Sequence, residues 1–280
     1  MSVEIIDIIK TGQLSKFKEF LAQEQISEND LRNNNVTTTI TSCIAISIQY
    51  QKYDIYKYLL DIIIDENVFI DYKIRKISED FLKMFIYLSI KYYNGSDIFI
   101  RYLISDKKVQ VPYVSLYISA KLGHFDLVKY FFDNGSIITS KTIDIAASNK
   151  HFDIVLFLIG KISNDPSLIT TETISNIFSF GPLNLIEYII NIKNINIEKY
   201  SVRLLFENNR KDIIVYLISK NILPDVGTYA VRDAYENKHY DLVYFLLKQR
   251  FPVDITCDYI IECTNLLKQE GIIVNNVPYY

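Results

Sequence analysis

The segment GHFDLVKY (Gly123–Tyr130) sets an imidazole two residues from a carboxylate at the start of an apolar run. A His/Asp pair that does chemistry should be unique, whereas one that holds a fold together recurs. It recurs as KHFDIVLFL (Lys150–Leu158) and KHYDLVYFL (Lys238–Leu246), and these copies use all 3 histidines of the chain. Weaker copies are YDIYKYLL (Tyr53–Leu60), LNLIEYII (Leu183–Ile190) and KDIIVYLI (Lys211–Ile218). GQLSKFKEFL (Gly12–Leu21) and FIRYLI (Phe99–Ile104) are more degenerate. The carboxylate position then falls on Ser15, Asp54, Ile98, Asp126, Asp153, Asn184, Asp212 and Asp241, and from Ile98 onward the interval settles at about 27 to 31 residues.

One period reads as helix, turn, helix. In SKTIDIAASNKHFDIVLFLI (Ser140–Ile159), Ser140 is placed to cap a first helix whose Ile143, Ala146 and Ala147 share one face. A second helix starts at about Phe152, with Ile154, Val155, Leu158 and Ile159 apolar. Asp133–Gly135 supplies a left-handed C-cap to the second helix of the preceding unit. Two helices this short cannot bury their apolar faces alone, so the units must stack. The expected fold is all-α, an α-solenoid forming one continuous domain over 1–280. Its N-terminal cap is 1–36, its units are 37–64, 78–106, 110–137, 138–165, 168–195, 196–222 and 225–254, and its C-terminal cap is 255–280, with a helix from about Ile255 to Lys268. The charged stretch Asp65–Asp80 reads as a surface connector rather than a domain boundary.

SAKLGHFDLVKYF (Ser119–Phe131), AASNKHFDIVLFL (Ala146–Leu158) and AYENKHYDLVYFL (Ala234–Leu246) resemble the core of ankyrin repeats. The short period and the AVRDAYENKHYDLV segment (Ala230–Val243) are most similar to ankyrin-repeat proteins of giant amoeba-infecting viruses, of the mimivirus type. The family's T-P-L-H motif is missing, which implies that its β-hairpin fingers are reduced to tight loops. The resemblance implies that His124, His151 and His239 tie neighbouring backbone groups together. It also places the acidic residue in the first turn of the second helix, where a carboxylate favours the macrodipole.

Composition narrows the function. A net charge of −3, with no basic run longer than Lys107-Lys108, removes the electrostatic footprint of a nucleic-acid binder. No apolar segment approaches the roughly 20 residues that span a bilayer. The N-terminus carries Glu4 and Asp7 in its apolar stretch, unlike a secretory signal. The cysteines Cys43, Cys257 and Cys263 form no metal-binding or redox spacing, so a reducing intracellular, cytoplasmic setting is expected. With 8 glycines and no phosphate-binding loop, no catalytic, cofactor-binding or metal-binding residue is assigned. Most of the 22 tyrosines are expected to pack in the core with hydroxyls at the rim.

The resemblance implies a non-catalytic, monomeric protein-interaction module, viral in origin and acting on host proteins in the host cytoplasm. A substrate-recruiting subunit of a ubiquitin ligase is the alternative reading, and an enzyme with an unrecognised site the remote one. The residues closing each first helix would then face a partner: Lys121 and Leu122, Ser148 and Asn149, Ser179 and Phe180, Glu207 and Asn208, Glu236 and Asn237. Phe180 is the strongest single candidate, because an aromatic in a groove can supply a large share of binding energy.

Overall fold

The computed structural model describes residues 3–26, 37–64, 79–162, 166–192 and 199–253. Among them the chain is all-helical, with sixteen α-helices in eight successive pairs and no strand. The chain divides into two compact units, Met1–Ile138 and Thr139–Tyr280. The first unit holds α1 (Val3–Thr11) with α2 (Leu14–Gln23), α3 (Thr37–Gln49) with α4 (Tyr53–Ile64), α5 (Glu79–Lys91) with α6 (Ile98–Arg101), and α7 (Ser115–Leu122) with α8 (Phe125–Asp133). The second holds α9 (Ser140–Ser148) with α10 (Phe152–Lys161), α11 (Thr171–Phe180) with α12 (Leu183–Ile190), α13 (Lys199–Glu207) with α14 (Lys211–Ser219), and α15 (Tyr229–Glu236) with α16 (Tyr240–Lys248). Each of the seven windows drawn from the sequence contains one pair. The expected C-terminal cap, 255–280, lies outside the described residues, as do 65–78 of the connector.

Burial follows one template. The two residues after the motif's carboxylate position, and the one five after it, are buried in seven second helices, from Ile55, Tyr56 and Leu59 in α4 to Leu242, Val243 and Leu246 in α16. α2 departs from this: Lys16 is exposed, and Phe17, Phe20 and Leu21 fill the interior. The first helices α3, α5, α7, α9 and α11 bury a tetrad at i, i+1, i+4 and i+5: Cys43, Ile44, Ser47 and Ile48 in α3, and Thr142, Ile143, Ala146 and Ala147 in α9. Each fully buried aliphatic side chain contributes about 1.5–3 kcal/mol. The small tetrad members let neighbouring helices approach. Within the first unit α1 packs on α3, α3 on α5 and α5 on α7, while within the second α9 packs on α11, α11 on α13 and α13 on α15.

The turn between paired helices is built from backbone conformation. Gly12, Gln51, Gly123, Lys150, Asn209 and Lys238 each follow the end of a first helix with a left-handed φ of 55° to 77°. At Lys150 the amide donates to the Ala147 carbonyl at 2.9 Å, and the next amide, of His151, donates to Ala146 at 2.9 Å. The same two bonds recur at Gln51 and Lys52, Gly123 and His124, and Lys238 and His239. Two orphan carbonyls are thereby satisfied and the chain is reversed. The α11–α12 turn differs: Gly181 is extended, and a Cβ there would lie 2.6 Å from the Ile177 carbonyl oxygen, so close approach rather than φ demands glycine.

The cap of α9 shifts by one residue from the sequence expectation. Thr139, in extended backbone, accepts the Thr142 amide at 3.3 Å, and Ser140 is the first helical residue. Thr170 caps α11 in the same way through the Thr173 amide at 3.1 Å. α6 gives way to one π-helical turn (Tyr102–Asp106), after which the Val109 amide reaches the Leu103 carbonyl at 3.0 Å. That turn carries Tyr102, whose hydroxyl donates to Asp61 of α4, beside a Lys107–Asp61 ion pair at 2.6 Å. Beneath it the Tyr56 hydroxyl, fully buried, donates to the Phe99 carbonyl at 3.0 Å.

A lysine held in the left-handed region stores a local penalty that glycine does not carry. Lys238→Gly should therefore raise the unfolding free energy by about 0.5–1 kcal/mol, and Lys238→Val should lower it. Equilibrium denaturation of the full chain checks both, and a less stable glycine variant would contradict this account of the turn.

Candidate functional site

The residue after each left-handed position serves two helices. His124, His151, Arg210 and His239 share one conformation, with φ near −85° and ψ from 57° to 78°. Their carbonyls accept the first intrahelical bonds of α8, α10, α14 and α16, at 3.0 Å from Val128, Val155, Ile214 and Val243. The side chains of His124, Arg210 and His239 then reach back to the preceding pair. His239 Nε2 lies 2.8 Å from the Glu207 carbonyl oxygen at the end of α13. A carbonyl can only accept, so Nε2 carries the proton. Arg210 donates to the Gly181 carbonyl at 2.7 Å and to Phe178 at 3.3 Å, and it also pairs with Asp212 at 3.1 Å. Burial raises the Asp212 pKa, but the Arg210 bonds outweigh it and hold the carboxyl below its ordinary range. In the first unit the His124 ring lies 5.0 Å from the Tyr93 ring. The three histidines thus belong to three separate helix pairs, each at a joint.

A second set of polar contacts ties adjacent first helices together. Asp144 of α9 accepts from the Thr170 and Thr173 hydroxyls of α11. Arg203 of α13 donates to Asp233 of α15 through Nε and Nη2, at 2.6 and 2.9 Å, and the Asp233 side chain is only 1% exposed. A buried carboxylate demands such a partner. Among the described residues no group of three His, Cys, Asp or Glu side chains could hold a metal ion. Burial pushes the Cys43 thiol up to about 12, which leaves it an un-ionised core residue.

The candidate partner-facing residues occupy the C-terminal ends of successive first helices. In the second unit they sit on α9, α11, α13 and α15, which pack in that order; Lys121 and Leu122 are at the end of α7 in the first unit. Their roles differ. Ser179, 6% exposed, presents no surface to a partner. The amides of Asn149, Asn208 and Asn237 turn back to the carbonyls of Ile145, Leu204 and Asp233 at 2.8 to 2.9 Å, closing their own helices. Glu207 pairs with Arg203 at 3.2 Å. Ser148 donates to Glu172 at 3.2 Å. Glu236 and Lys121 are exposed, and Leu122 is exposed as well. Phe180 is 47% exposed, with the Lys150 ammonium 4.1 Å from its ring centroid.

Sequence reasoning missed Arg210, because an arginine in the histidine position does not look like the motif. It also missed Asp233 and Asp144, whose acceptor roles appear only when neighbouring helices are aligned on their buried tetrads. No helix among the described residues is long and apolar enough to cross a membrane. Comparison with protein-family models, curated proteins and solved structures finds no match to this chain.

Removing Arg203 leaves the buried Asp233 carboxylate only the distant Arg232, at 3.9 Å, whereas removing both partners leaves no buried charge. Arg203→Leu should cost about 3 kcal/mol, and adding Asp233→Leu should recover much of that loss. Additive losses in this double-mutant cycle, measured by chemical denaturation, would show that the pair is uncoupled.

Proposed function

We propose that the chain is a non-catalytic protein-binding module whose two units are each a short ankyrin-like stack of helix pairs. The observation that carries this reading is a division of labour along the first helices. The tetrad positions are buried in α3, α5, α7, α9 and α11, while the residues at the aligned place two positions beyond change from Thr11 and Tyr50 to Leu122, Asn149, Phe180, Asn208 and Asn237. One set serves packing, and the other supplies a surface whose chemistry varies. The histidines support the same reading, since each sits at a joint between helices and His239 is bonded to backbone. A groove aromatic such as Phe180, half-exposed and topped by an ammonium, is suited to anchoring a partner.

The test is capture of binding proteins by the full chain and by a Phe180→Ser, Leu122→Ser double variant. Capture should weaken at least tenfold, which corresponds to about 1.4 kcal/mol. The melting temperature should fall only modestly, because the two side chains are already 47% and 41% exposed. Capture that survives the double change but is abolished by substitutions on the second helices, such as Val215→Glu, would move the binding surface to the other side.

A further inference from the structure

The ends of the first helices differ in chemistry between the two units. Counting two residues beyond the buried tetrad, the first unit places Tyr50, Tyr92 and Leu122 at the ends of α3, α5 and α7. Tyr50 and Leu122 are 40% and 41% exposed, and Tyr92 is half-buried. The residue just before each of these is Gln49, Lys91 and Lys121, and the same place on α1 is Lys10. In the second unit that place holds Ser148, Ser179, Glu207 and Glu236. The face of the first unit is therefore aromatic and cationic, and that of the second is amide-rich and acidic at one end.

Because α1, α3, α5 and α7 pack in that order, these side chains stand at matching register on adjacent helices. The lysines are already arranged around the rings: Lys10 lies 5.5 Å from the Tyr50 centroid, and Lys91 lies 5.2 Å from that of Tyr92. Lys10 is also paired with Asp7 at 3.2 Å, so α1 offsets part of this charge, while Lys91 and Lys121 are exposed on α5 and α7. Such pairing restricts the rotamers of both partners before any ligand arrives, which lowers the ordering cost of binding. The positive strip stands out against a chain whose net charge is −3.

Taking the face to be a binding surface, as proposed above, we infer that the first unit recognises an acidic peptide segment of a partner protein carrying aliphatic or aromatic anchors. The tyrosines and Leu122 receive the anchors, and the lysines meet carboxylates at the rim. Rim charge sets specificity, so a basic partner is rejected by the same strip. Three lysines beside the acids of α1 do not make the continuous positive groove that tracks a phosphate backbone. A peptide fits that spacing better than a nucleic acid does.

The experiment is selection of random displayed peptides on the full chain, followed by affinity measurement of the enriched peptides against variants. The expected consensus is rich in Asp and Glu, interrupted by Leu, Phe or Tyr. Lys91→Glu with Lys121→Glu should weaken those peptides at least tenfold, equivalent to about 1.4 kcal/mol, and so should Tyr50→Ser with Leu122→Ser. Added salt should weaken them too, whereas Phe180→Ser should leave them unchanged. Circular dichroism and melting of each variant establish that the fold is retained. A basic or uncharged consensus, or binding untouched by the lysine reversals, would overturn the inference. Tighter binding of a labelled oligouridine than of any selected peptide would overturn it as well, as would a concentration-dependent dimer dissolved by the reversals, which would assign the face to a second copy of the chain. Peptides lost on Phe180→Ser but kept by the lysine variant would sink this inference and leave the binding module standing. Failure to enrich any peptide would count against both.

Discussion

The structure depends on one constraint, a two-residue joint that recurs in six of the eight helix pairs among the described residues. Its first residue must be left-handed, so that two successive amides turn back and close the first helix. Its second residue then leaves the turn near φ −85° and starts the next helix with its carbonyl, and at Arg210 and His239 it sends its side chain to the preceding pair. A donor with reach satisfies that last demand, which is why histidine and arginine can exchange there. His239 uses one ring nitrogen and Arg210 a guanidinium, and both end on backbone carbonyls at the end of a first helix. Where the preceding joint has no left-handed residue, at Gly181-Pro182, the carbonyl of Gly181 itself becomes the acceptor for Arg210.

The joint explains why short helices suffice. A nine-residue helix is too short to be stable in water by itself, and here six of the first helices are closed at their C-termini by the turn and covered by neighbours. The polar pairs between first helices add register to this packing. Asp144 with the two threonines, and Arg203 with Asp233, specify which residues of adjacent helices face each other, while the small tetrad members set how close those helices come. Packing thus consumes the buried faces and leaves the helix ends to vary. That freedom is what a recognition surface needs, and the contrast between the lysine-flanked tyrosines of one unit and the glutamates of the other shows how far it extends within one chain.

Much of the fold was legible in the sequence because the apolar spacing after each carboxylate position is set by the helix period. Phe152 as the start of α10 and the burial of Ile154, Val155 and Leu158 follow directly from it. The α9 cap was misplaced by one residue because Thr139 and Ser140 are both capable caps, and only backbone conformation distinguishes them. The candidate surface was legible in part. Phe180 is half-exposed, but the asparagines beside the turns spend their amides on their own helices, a local bond that residue type alone does not reveal. The aromatic face of the first unit was missed because its motif copies are degenerate. Tyr50 and Tyr92 become comparable with Leu122 only after the buried tetrads are aligned.

If the joint side chain couples one helix pair to the next, its loss should be felt by immediate neighbours. Native-state hydrogen exchange of the full chain carrying His239→Ala measures this directly. Protection should fall at the C-terminal end of α13 and across α15 and α16, with α9 and α11 keeping their wild-type rates. Unchanged protection around Glu207, or a uniform loss over all the helices of Thr139–Tyr280, would contradict nearest-neighbour coupling through the joint.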